Sequence, residues 1–137
     1  MTRILLDTSV LIALLRGTEA PAQRLSTTAA NDQIFLSAIV AGELAEGFAL
    51  TPGGARRQRA RYERLAGSLE RCDFGFGAAE ARGRIRAHLR RAGTLIGDID
   101  ELIAAHALDL GAEVATMNAS HFRRVPGLTV QDWSEAA

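Results

Sequence analysis

The chain has 137 residues, 47% hydrophobic and 23% charged, a profile that excludes disordered, fibrous and membrane classes and predicts one domain over residues 1–137. Formal net charge is zero and all sixteen basic residues are arginine, so a P-loop, which needs a lysine at its phosphates, is excluded. The single cysteine, Cys72, excludes an internal disulfide, and Asp7 interrupts the apolar start too early for a signal-peptide core, which together predict a cytoplasmic protein with no membrane segment.

Arg3 to Leu6 reads as a short buried strand stopped by Asp7, after which Val10, Leu11, Leu14 and Leu15 recur at helical spacing as far as Gly17. A helix from about Glu19 to Ala30 and a strand over Gln33 to Leu36 follow. Ser37 is a good cap for a helix from about Ala38 to Leu50, which Pro52-Gly53-Gly54 ends. Two arginine-rich helices, about Ala55 to Leu69 and Gly77 to Arg91, flank Cys72 to Phe76, where a short strand fits. The next helix opens near Asp98 and ends at Gly111, Glu113 to Met117 is a strand, and a loop through Pro126-Gly127 leads to a last strand at Leu128 to Gln131.

Strands alternating with helices predict an α/β fold with a mostly parallel sheet, because a parallel pair needs a crossover that is usually a helix. Sites in such sheets form beyond the carboxyl ends of the strands, and Asp7 and Asn118 sit at two such ends. Charge is segregated: residues 53–97 carry eleven arginines against four acids, and the other residues five against twelve. Arg82, Arg86 and Arg90 recur at i, i+4 and i+8 opposite the apolar stripe Ala78, Ala81, Ile85 and Leu89, with Arg57, Arg61 and Arg64 as a second row. Such rows either grip a polyanion or remain solvated, acid-paired faces.

The acids have competing readings. Asp7, before Thr8 and Ser9, is either a helix cap or a site residue. Glu43 falls inside the apolar arc of its helix, where a carboxylate must lose its charge, pair with an arginine or hold a cation, whereas Glu46 at the edge of that arc is solvated. Asp98 and Glu101 fit a capping box, which leaves Asp100 on the shoulder of the apolar face without a capping role. His106 lies in the middle of that face as a core histidine, and His88 and His121 carry no site signal. Asn118 is either a turn residue or an oxygen ligand. Oxygen donors converging without cysteine or histidine favour Mg²⁺ or Mn²⁺ over zinc, and such ions serve phosphoryl chemistry.

Four ordered segments resemble a known family: Leu5-Leu-Asp-Thr-Ser-Val-Leu-Ile12; Ser37-x5-Glu43-Leu44; Ile96-Gly-Asp-Ile-Asp100-x2-Ile103-Ala-Ala-His-Ala107; and Thr116-x-Asn118-x2-His-Phe122-x-Arg-Val-Pro-Gly127-Leu. Spanning residues 4 to 133, they look like a PIN-domain ribonuclease of the VapC type, the toxin of a bacterial toxin–antitoxin pair. The resemblance implies a three-layer α/β/α sandwich and an acidic site that uses Mg²⁺ or Mn²⁺ to hydrolyse RNA of the tRNA or rRNA class, leaving a 5′-phosphate and a 3′-hydroxyl. By motif position Asp7, Glu43 and Asp100 match the catalytic acids and metal ligands, and Asp98 matches a less regular one. Asn118 stands where the family often has a fourth acid. The implied partners are a second copy of the chain, a VapB-type antitoxin and, through that complex, operator DNA. A phosphoacceptor domain or Asp-nucleophile phosphatase also places an aspartate after the first strand, but both normally use a site lysine, which this chain lacks. The competing class is a catalytically weak PIN-like binding module that works only inside an antitoxin and operator-DNA complex.

Overall fold

β1 (Arg3–Leu6), β2 (Gln33–Ser37) and β4 (Glu113–Thr116) are each buried at every position after the first, the pattern of strands covered on both faces. They form the centre of a five-stranded parallel sheet in the order β3-β2-β1-β4-β5, closed at its edges by the less buried β3 (Glu70–Cys72) and β5 (Val130–Asp132). In this computed structural model residues 1–136 are described; Ala137, the last residue of the expected domain, lies outside them.

The connections are α1 (Thr8–Leu15), α2 (Glu19–Ala29), α3 (Ala38–Leu50), α4 (Arg56–Ala66), α5 (Phe76–Ala92), α6 (Asp98–Leu110) and α7 (Ala119–Phe122). Right-handed crossovers put α1 to α4 on one face and α5 to α7 on the other. In the packing α1 touches α2, α3 and α4, while α6 touches α5 and α7 and also meets α3. Ile4, Leu5 and Leu6 of β1, Val10 and Leu11 of α1, Ile103 of α6 and Trp133 after β5 are all fully enclosed, and each aliphatic side chain among them contributes about 1.5–3 kcal/mol.

The chain leaves β1 toward β2 on one side and returns from β3 to β4 on the other, so the strand order reverses between β1 and β4. Open α/β sheets place their ligands at this switch point, beyond the strand ends.

Three expectations are corrected. The short strand expected within Cys72 to Phe76 is Glu70–Cys72, because pairing of Phe35 with Glu70 and Ser37 with Cys72 sets the edge register, while Phe76 is exposed at the start of α5. The last strand starts two residues later and ends one later than expected, since its pairing with β4 joins Val114 to Val130 and Thr116 to Asp132. The loop after Asn118 contains the short helix α7, which buries Ala119 and Phe122.

Candidate active site

Asp7 is held at the switch point from both sides. Its backbone N–H donates to the Ala115 carbonyl at 2.9 Å, locking the end of β1 to β4. Its carboxylate accepts from the Thr8 N–H at 2.8 Å on Oδ1, and from the hydroxyls of Ser9 at 2.7 Å and Thr116 at 2.8 Å on Oδ2. Asp7 therefore caps α1 while its carboxylate also binds the Ser9 and Thr116 hydroxyls. With two hydroxyls on Oδ2 and a single N–H on Oδ1, Oδ1 keeps acceptor capacity. Burial pushes the Asp7 carboxyl above its ordinary range; the Ser9 and Thr116 hydrogen bonds oppose that rise and the charge of Asp100 adds to it.

Glu43 reaches the same place from α3. Its Oε1 accepts the Thr8 hydroxyl, so a single residue, Thr8, bridges both acids. Glu43 is half-buried, and among the described residues no arginine pairs with it; Glu46 is exposed, as its position on the arc predicts.

Asp100 arrives from the opposite face of the sheet. The turn into α6 is made by Gly97 at φ 109°, a conformation that a side chain would strain. Three residues on, Asp100 Oδ2 lies 3.0 Å from His121 Nδ1. That nitrogen is 3.1 Å from Asn118 Nδ2, and the Asn118 backbone N–H donates to the Thr116 hydroxyl at 2.9 Å. Glu43, Thr8, Asp7, Thr116, Asn118, His121 and Asp100 thus form one continuous polar chain across the switch point. His121 is a residue that sequence reasoning missed; its one signal was its place three residues after Asn118, which aligns the two on a helical turn.

Asp98 is placed differently from the expected capping box. Gly97 is the residue that caps α6, and neither it nor Asp98 makes a capping side-chain bond. Asp98, 72% exposed, accepts from Arg86 at 2.8 Å and Arg82 at 3.2 Å. Glu101, fully buried instead of completing the box, meets Arg86 at 3.0 Å and Arg82 at 3.3 Å. Two members of the expected cationic row are therefore already compensated, because α5 packs along α6 and turns their guanidinium groups onto its acids. Arg90 is exposed and makes no ion pair among the described residues. From the second row, Arg61 donates to the Leu15 carbonyl at 3.1 Å, closing the end of α1. His106 is core, as expected: its Nδ1 meets Ser37 Oγ at 2.8 Å and its ring stands edge-on to Phe74.

The donor set suits a hard divalent cation. The charge of Asp100 adds to the rise of the Asp7 pKa, and among the described residues neither carboxylate forms an ion pair with an arginine. Among those residues no three acid, cysteine or histidine side chains converge tightly enough to enclose an ion unaided. An ion here would keep several waters, as Mg²⁺ usually does.

The PIN domain family matches residues 4–128. The chain belongs to the PIN-domain family. Within it, the chain is 31% identical to the tRNA(fMet)-specific endonuclease VapC of Shigella flexneri over 98% of this chain and 100% of that one. It is 30% identical to ribonuclease VapC2 of Rickettsia felis, over 96% and 98% of the two chains. Among solved structures, the VapBC2 complex of Rickettsia felis on a promoter DNA fragment superposes at a TM-score of 0.90, with 27% identity over 96% of this chain and 99% of that one. The DNA-bound VapBC of Salmonella typhimurium gives 0.87 with 33% identity, over 97% and 99%. The expected PIN-like sandwich with a parallel sheet is borne out. No helix among the described residues of this PIN domain is long and apolar enough to cross a membrane.

Proposed function

We propose that this PIN domain, acting as a single unit along its length, is a divalent-metal-dependent endoribonuclease and the toxin of a type II toxin–antitoxin pair. The observation that carries the reading is the continuous polar chain that links Glu43, Thr8, Asp7, Thr116, Asn118, His121 and Asp100 beyond the strand ends, in a chain that VapC ribonucleases match over 96% and 98% of its length. Asp7 and Asp100 would hold Mg²⁺ or Mn²⁺, with Glu43 and Asn118 beside them and Asp98 set apart by its arginines. When bound, the ion polarises the scissile phosphate and makes hydroxide available from water near neutral pH.

The protein's own contribution is to hold these groups ready. Thr8, Ser9 and Thr116 fix the Asp7 carboxylate and leave Oδ1 with acceptor capacity to spare. Thr8 also occupies Glu43 Oε1, which leaves Oε2 to take the proton of an attacking water. Gly97 sets the start of α6, from which Asp100 meets His121 at 3.0 Å. The substrate is an RNA of the tRNA or rRNA class, bound after its phosphate charge is met by the ion and by exposed cations such as Arg90.

The protein works in the cytoplasm as a homodimer restrained by a VapB-type antitoxin, and it meets operator DNA only through that complex. Asp100→Asn tests the reading: metal-dependent cleavage of a mixed RNA pool should disappear while stability changes by less than about 1 kcal/mol, because Asp100 is partly exposed and among the described residues its one ion-pair partner is His121. Wild-type protein that cleaves nothing with Mg²⁺ or Mn²⁺ would favour the binding module instead.

A further inference from the structure

The first turn of α6 carries Asp98, Asp100 and Glu101, yet no side chain caps it. It is fastened from α5 instead. A single guanidinium nitrogen, Arg86 Nη1, lies 2.8 Å from Asp98 Oδ1 and 3.0 Å from Glu101 Oε1, and Arg82 Nη2 stands 3.2 Å from the same Asp98 oxygen. At 3.6 residues per turn Asp98 and Glu101 are about 60° apart around the helix, whereas Asp100 is about 100° from Glu101 and about 160° from Asp98. Arg86 thus grips one side of the turn, and Asp100 leaves from another to meet His121 at 3.0 Å. Stability is a poor account of this clamp. Glu101 is fully buried, its Oε2 has no hydrogen-bond partner among the described residues, and Arg82 Nε, 3.3 Å from Oε1, is out of line for a bond. Half-satisfied buried charge is costly, and apolar side chains of similar volume often replace a buried ion pair without loss of stability. Hydrophobic contact is non-directional, however, whereas two charge-assisted bonds from one nitrogen fix how the turn is rotated.

We infer that Arg86 is a positioning residue for Asp100: through Asp98 and Glu101 it fixes the rotation of the first turn of α6, and with it the place of the Asp100 carboxylate, without itself touching the RNA. The inference rests on the endoribonuclease reading of the site. A carboxylate stands about 6 Å from the axis of its helix, so a rotation of about 10° moves it by about 1 Å. A misplacement of that size costs on the order of 100-fold in rate when the group must meet a reacting centre.

The test uses the full chain with Arg86→Met and Glu101→Leu combined, which removes the buried carboxylate and its partner together and should resist urea as well as wild type does. With Mg²⁺ and a mixed RNA pool as the probe, turnover at saturating RNA should fall about tenfold or more, while the half-saturating RNA concentration stays within about twofold. A purely structural pair predicts the opposite, a stable double variant that turns over as fast as wild type, and that result would overturn the inference. A raised half-saturating concentration with turnover intact would make Arg86 an RNA contact and overturn it as well. Should the double variant fold poorly, Arg86→Lys, which keeps a cation beside Glu101, is compared with Arg86→Ala below the melting temperature of both. The lysine variant should turn over about tenfold faster or more, and equal rates would overturn the inference. Wild type that cleaves nothing with Mg²⁺ or Mn²⁺ would overturn the endoribonuclease reading and this inference with it, whereas active wild type beside an equally active double variant would overturn the inference alone.

Discussion

Thr116 and Asp7, 109 residues apart in sequence, are joined by a 2.8 Å hydrogen bond in which the hydroxyl at the end of β4 donates to the carboxylate at the end of β1. The same hydroxyl accepts the Asn118 N–H at 2.9 Å, so one buried oxygen fastens the acid that ends the first strand to the turn that carries Asn118 and His121. Thr116→Val should keep the shape and remove both bonds, destabilising the fold by about 1–3 kcal/mol because buried polar groups lose their partner. Thr116→Ser should cost much less. Urea unfolding of the two variants checks the difference.

The charge cluster between α5 and α6 predicts a contrast between two arginines one helical turn apart. Arg86→Ala takes a cation from the fully buried Glu101 and should lower the melting temperature, whereas Arg90→Ala, in the open row, should not. The double variant Arg86→Met with Glu101→Leu should recover stability, since the buried carboxylate is removed together with its partner. For RNA binding the order reverses. Arg90→Ala should flatten the salt dependence by about 0.7 in log–log slope, one phosphate contact, and Arg86→Ala should leave it unchanged. Equal slope changes would mean that the acids on α6 do not occupy Arg86.

Burial pushes the pKa of His106 below its ordinary 6.5, against the opposing influence of the Asp73 backbone and the charges of Asp109 and Asp73. The native side chain therefore stays neutral at pH values where the unfolded one takes a proton, and the unfolded state binds more protons. Stability from this group is complete above about pH 6.5 and declines as pH falls below it. Unfolding free energies at about pH 7.5 and about pH 5.5 should differ less in His106→Gln than in wild type. The variant should be less stable at the higher pH because it disturbs the Ser37 bond and the Phe74 contact.

Gly97 at φ 109° and ψ 151° occupies a region that residues with a side chain avoid, although a Cβ there would meet no neighbouring atom. Gly97→Ala should therefore destabilise by about 1–3 kcal/mol through backbone strain alone. By shifting the first turn of α6 it should also reduce RNA cleavage by more than that loss of folded protein explains. Circular dichroism melts and cleavage rates on the same preparation separate the two effects.

Much of the fold was legible locally. The apolar runs at Ile4 to Leu6 and Ile34 to Leu36 are strands buried on both faces, and the period of Val10, Leu11, Leu14 and Leu15 is a helix, because burial on one face or two writes itself into residue order. Asp7, Glu43 and Asp100 could also be singled out, the first by its place after a strand and the others as acids with no local purpose. The edge strand at Glu70–Cys72 was not legible, since its register depends on hydrogen bonds offered by β2 and its own residues are barely buried. Nor was the fate of the charges. An arginine at helical spacing looks the same whether it faces water or a buried carboxylate, and only the packing of α5 along α6 gave Arg82 and Arg86 to Asp98 and Glu101. The placement of His121 beside Asp100 was decided in the same way: the two lie 21 residues apart and meet where α6 and α7 converge beyond the strand ends, a contact that no local sequence period records.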